Sequence, residues 1–123
     1  MVESKISCGE RMTLPWPPSV NTYWRNWNGR MVIGGPGREY RSKIMQQCVA
    51  EQWGSFGPVK IKVQIVACPP DKRLRDLDNL FKAPLDALTK AGVWIDDSQI
   101  QELSIKWGNI EKGGKLYIDV QPC

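Results

Sequence analysis

The stretch from Val59 to Cys68, VKIKVQIVAC, constrains the fold more than any other part of the chain. Val59, Ile61, Val63, Ile65 and Ala67 alternate with Lys60, Lys62, Gln64 and Val66. A period of two belongs to a β-strand, whose successive side chains point to opposite faces. One face is apolar and the other starts basic. Such a strand fits a sheet with one covered face.

The remaining segments supply partners for it. MTLPW reads as a short strand ended by Pro15, Pro17 and Pro18, which force extended backbone. The glycine- and asparagine-rich stretch from Ser19 to Arg38 reads as turns and loop, with a hairpin allowed at Asn28-Gly29. A helix is expected over REYRSKIMQQCVAEQW, with Tyr40, Ile44, Cys48 (or Val49) and Trp53 on one face. A second helix is expected to start near Asp78 as N-cap and to stop at Gly92, with Pro84 either kinking it or leaving it regular only beyond that residue. Its apolar face is Leu77, Phe81, Leu85, Leu88 and Ala91. IQELSIKW and GKLYIDV read as two strands with EKGG as a hairpin turn between them. The fold class is therefore α+β: one domain spanning residues 1–123, with a mixed sheet covered by about two helices.

Several function classes drop out. There is no histidine, so a histidine base, a Ser-His or Cys-His nucleophile and a Cys/His zinc site are excluded. Cys8, Cys48, Cys68 and Cys123 form no C-x-x-C pair. With no apolar leader at the start and no membrane-length apolar run, free thiols in the cytoplasm are expected. Cys48 and Cys68 read as small core residues.

Charge is unevenly placed. Residues 1–58 carry a net +3, residues 59–75 a net +4 and residues 76–123 a net −3. A basic first part and an acidic last part suit a polyanion partner beside a locally acidic site. Five of the 13 acidic residues lie between Arg75 and Asp97, as Asp76/Asp78, Asp86 and Asp96/Asp97. On extended backbone Asp76 and Asp78 would point the same way and could share a hard divalent cation such as Mg²⁺. Asp97 could complete the site from its own chain or from a partner's. Lys82, one helical turn after Asp78, could stabilise phosphate charge or pair with a carboxylate. Each acid also has a plainer role: Asp78 as a cap, Asp96-Asp97 as a turn, and Asp86 on a solvated helix face. The D-x-D-N run is not an EF-hand loop, because Leu80 and Phe81 follow it. With no protein nucleophile available, a metal-bound water is the nucleophile a hydrolase of this composition would use.

The basic groups lie close by. Lys72, Arg73 and Arg75 directly precede the acids and could bring in a phosphate backbone. WPPSVNTYWRNWNGR interleaves aromatics with arginines, which could stack on exposed bases or pack beneath the loop. Asn21, Tyr23 and Arg25 in that stretch are candidate DNA contacts.

LPWPPSVNTYWR together with RDLDNLFKAPLDALTKAGVWIDDSQI resembles the RusA family of Holliday-junction resolvases. The order and intervals match from Leu14 to about Val120. The resemblance implies a homodimeric, Mg²⁺-dependent endonuclease, with Mn²⁺ able to substitute, that nicks opposed strands of branched four-way DNA. It implies Asp76, Asp78 and Asp97 as metal ligands, with Asp96 as their neighbour. Lys82 matches a basic residue tied to catalysis, Arg75 the basic residue before the first acid, and Asn79 a further motif position. It also implies a bacterial or phage setting. The alternatives are a nuclease with flap or fork preference, a junction-binding protein without cleavage, and a small interaction domain.

Overall fold

A computed structural model describes residues 10–123; Cys8 lies outside them. Four strands form the main sheet: β1 (Glu10–Pro15), β4 (Ile61–Cys68), β5 (Ile100–Trp107) and β6 (Lys115–Pro122). Their order is β1-β6-β4-β5. β6 runs antiparallel to β1 and β4, and β5 runs parallel to β4, so the sheet is mixed. Two helices cover one face, α2 (Gly35–Glu51) and α3 (Lys82–Lys90). Before them come the four-residue α1 (Val20–Tyr23) and a separate hairpin of β2 (Trp24–Trp27) and β3 (Arg30–Ile33).

The alternation in β4 does what the sequence predicts. Ile61, Val63, Ile65 and Ala67 are buried, and they join Leu116, Ile118 and Val120 of β6 in one core cluster, whereas Val59, expected on the same face, precedes the strand and is exposed. Tyr40, Ile44 and Cys48 of α2 and Ala83, Leu85, Ala87 and Leu88 of α3 close it from above. Each large aliphatic side chain buried here contributes about 1.5–3 kcal/mol. Cys48 and Cys68 are buried thiols, and burial pushes both above the ordinary thiol range.

Three expectations need correction. First, α2 starts earlier than Arg38. Pro36 sits in its first turn, where a missing N–H has no partner to lose. Gly37 then lets α2 lie against α1, because a Cβ there would meet the Tyr23 carbonyl oxygen at 2.6 Å. Second, EKGG does not join β5 and β6 as a hairpin. β6 inserts between β1 and β4, and the connection crosses the end of β4, where the Glu111 N–H donates to the Pro69 carbonyl at 2.9 Å. The strand with the fully buried Leu116, Ile118 and Val120 takes the two-sided position. β5, exposed along most of its length, is left at the edge. Third, the second helix does not begin at Asp78. Leu77–Leu80 is a 3₁₀ turn preceded by Asp76, and α3 begins at Lys82. Pro84 is thus the third helical residue, within the turn whose N–H groups are unpaired anyway, and it needs no kink. No described helix is long and apolar enough to cross a membrane.

Candidate active site

The parallel pair β4 and β5 is joined through α3, and the candidate site residues flank that helix. Between β4 and the 3₁₀ turn the chain forms a tight basic loop, Asp71–Arg75. The Asp71 carboxylate accepts from the Arg73 backbone N–H at 2.9 Å and from the Arg75 guanidinium at 2.8 Å. Arg75 also donates to the Arg73 carbonyl at 3.1 Å and lies 5.6 Å over the Trp16 ring. Those hydrogen bonds hold Asp71 below the usual carboxylate range. Arg75, the less exposed arginine, braces the loop; Lys72 is exposed, as is Arg73, whose guanidinium also reaches the Asp71 carboxylate at 3.4 Å. The i,i+4 spacing of Asp71 and Arg75 is the one sign of this pair in the sequence.

The loop edges a groove of about 560 Å³ lined by Trp16, Ser19, Arg73, Arg75, Asp76 and Asn79. It joins the basic run to the first acid of the motif. Gly114 packs behind the Trp16 ring, where a Cβ would fall 2.9 Å from it. Trp16 and Ser19 come from the segment before α1, some 60 residues away in sequence, and only the fold brings them to Asp76.

The seven aspartates divide into two sets. Asp71 is paired as described. Asp119 meets Arg11 at 3.3 Å. Asp96 caps the Asp97–Gln99 turn by accepting from the Ser98 N–H and hydroxyl, which lowers its pKa, and Gln99 Oε1 accepts from the Asp96 N–H at 2.9 Å. Asp86 accepts from Arg41 Nε at 2.7 Å and from the Tyr23 hydroxyl. Asp76, Asp78 and Asp97 are the other set. All three are exposed, and none has a hydrogen-bond or ion-pair partner for its side chain among the described residues. These are the aspartates that the resemblance implies as metal ligands.

Exposed carboxylates free of protein partners suit a hard cation, which prefers oxygen donors and retains water. They are not a preformed cage in one chain. Among the described residues no group of three or more Asp, Glu, Cys or His side chains is placed to enclose a metal ion. Asp76 is extended while Asp78 lies in the 3₁₀ turn, so the shared extended backbone expected for the pair does not hold. In the chain, α3 separates both from Asp97. Lys82 is exposed at the start of that helix.

Two side chains take roles other than those expected. Tyr23 is not a loop aromatic available to DNA: it is fully buried, its hydroxyl donates to Asp86, and burial followed by that bond raises its pKa well above the usual phenol range. Asp86 is not on a solvated face, since it links α1, α2 and α3. Arg25 is exposed on the hairpin, and Asn79 lines the groove. Asn21 lies in α1, and its side chain falls outside what is described.

Comparison with known proteins gives this geometry a context. The family model for endodeoxyribonuclease RusA matches residues 15–121. A crossover junction endodeoxyribonuclease of Enterobacteria phage 82 is 40% identical, over 89% of this chain and 91% of its own length. The proteins of that name from Shigella sonnei (strain Ss046) and Escherichia coli (strain K12) are 43% and 42% identical, with the same coverage. The matched region takes in the basic loop, all three unpartnered aspartates and both covering helices, and the chain belongs to the endodeoxyribonuclease RusA family.

Proposed function

We propose that this protein is a metal-dependent, structure-selective endodeoxyribonuclease that resolves four-way DNA junctions by paired nicks on opposed strands. The observation that carries the reading is the division of the aspartates. Four have partners within the fold, while Asp76, Asp78 and Asp97 do not. Exposed carboxylates left without a protein partner beside a basic loop are free to take an oxygen-coordinated cation. The names of the relatives, all crossover junction endodeoxyribonucleases, support the substrate.

Asp76, Asp78 and Asp97 would hold Mg²⁺, with Mn²⁺ able to replace it. When bound, the ion supplies a water of lowered pKa and offsets charge at the scissile phosphate. The chain's own groups do the rest. Lys72 and Arg73 hold the backbone phosphates, and the Asp71–Arg75 pair keeps the loop that presents them in one shape. Lys82, exposed at the N-terminal end of α3, places a positive charge where negative charge builds up during cleavage.

A homodimer fits this site. β5 is an edge strand with Leu103 and Trp107 exposed, a surface that a second copy could cover. Two copies would give two sites related by a two-fold axis, matching a two-fold substrate, each completed by Asp97 of its own chain or of the partner. The test is Asp76→Asn. Cleavage of a four-way junction should be lost while binding stays within a few-fold of the parent. Binding lost together with cleavage would mark Asp76 as structural and remove the reading's basis.

A further inference from the structure

We propose that the β2–β3 hairpin is the arm that engages the branch point of the DNA, with Trp27 stacking on a base exposed there and Arg25 and Arg30 holding the flanking phosphates. The inference rests on the junction-resolving reading given above.

The hairpin is a two-stranded sheet of its own, with Trp24 opposite Ile33, Arg25 opposite Val32, Asn26 opposite Met31 and Trp27 opposite Arg30. Opposed residues share a face and alternate along the strand. One face carries Trp24 and Ile33, which pack against the core at the root of the arm. The other carries Arg25, Trp27 and Arg30, all exposed, with Trp27 at 58%. The turn between the strands has Asn28 at φ 51° and Gly29 at φ 78°, the primed geometry that matches strand twist and stiffens a two-residue loop.

The root is fixed. Tyr23, the residue before β2, is buried and donates to Asp86, which Arg41 also holds. Asp86 stands one helical turn after Lys82. On the other side of α1, Ser19 lines the groove that Asp76 and Asn79 line. The arm thus rises from the rim of the candidate site, anchored to the helix that carries Lys82.

The chemistry of that face selects its partner. Trp24–Ile33 contains two arginines and no acid, which suits a polyanion. An exposed indole between them offers a stacking surface for a base. A continuous duplex presents no free base face, because every base is paired and stacked. A branch point does, where stacks end. The arm therefore adds a stacking contact that a branch point offers and a continuous duplex does not.

The test uses full-length protein, without divalent cation, titrated with a four-way junction carrying 2-aminopurine at the crossover and with a linear duplex of equal length. Trp27→Ala should weaken junction binding by about tenfold, leave duplex binding unchanged and abolish the 2-aminopurine response. Trp27→Phe should restore most of the difference. Arg25→Ala with Arg30→Ala should weaken junction and duplex alike and flatten the salt dependence. Because Trp27 is exposed, the far-UV circular dichroism of Trp27→Ala should match the parent. Equal loss on both DNAs, or no loss on either, overturns the role of Trp27 while leaving the resolving activity standing. A parent protein that does not prefer junctions overturns the underlying reading, and this inference with it.

Discussion

Arg41 of α2 donates through Nε to Asp86 of α3 at 2.7 Å, and the buried Tyr23 hydroxyl donates to the same carboxylate. One acid thereby ties the arm, the long helix and the helix that begins with Lys82. Asp86→Ala should lower stability by about 2 kcal/mol, since it strands a buried hydroxyl and a half-buried guanidinium. The midpoint of thermal unfolding should drop by roughly 5–10 °C. An unchanged midpoint would mean that the cluster contributes nothing.

Alkaline pH should loosen the same cluster. Burial, then the bond to Asp86, raises the Tyr23 pKa, and burial raises that of Tyr40. Raised folded-state values mean that the folded protein keeps protons the unfolded chain would release. Their stabilising effect is complete below the unfolded tyrosine pKa of about 10 and is lost as pH climbs above it. Denaturant titrations from pH 8 to 11 should show stability falling beyond pH 10, less steeply in Tyr23→Phe. Equal slopes for parent and variant would contradict this.

Lys82→Ala should reduce junction cleavage by roughly a hundredfold, the scale of one lost charge-stabilising group. Junction affinity should change by only a few-fold. Equal losses in both would make Lys82 a plain phosphate contact.

Lys72 and Arg73 are the exposed members of the basic loop. Replacing both with alanine should reduce the slope of log K against log salt by about 2 for each protomer engaged. Arg75→Ala should act differently, through the loop itself: Asp71 loses its 2.8 Å partner, and limited proteolysis should speed up between residues 71 and 75. Protease resistance equal to the parent's would show that the pair does not set the loop.

Elements with a strong local period were legible in the sequence. β4 and the buried face of α2 are written in alternation and in steps of four, and Gly92 takes the expected left-handed turn at φ 86°. The Asn28-Gly29 hairpin was legible from its turn chemistry alone. Strand order was not, because EKGG suits a hairpin locally, and only competition for the two-sided position sends β6 past β4. The roles of Tyr23 and Asp86 are hidden for a related reason. A tyrosine in a polar loop and an aspartate in a helix look exposed until a fold sets them together with Arg41, 63 and 45 residues from Asp86. The candidate site was legible as a motif, Asp76 to Asp97, but its groove was not. Trp16 and Ser19 reach Asp76 only through tertiary structure.

The most direct measurement is cleavage of a synthetic four-way junction by the purified protein, with and without Mg²⁺, mapped at nucleotide resolution on all four strands. Paired, symmetrically placed nicks on two opposed strands, present only with the metal and absent in Asp76→Asn, are the expected result. Cleavage that persists without a divalent cation, or equal cutting of a linear duplex, would contradict a junction resolvase built on Asp76, Asp78 and Asp97.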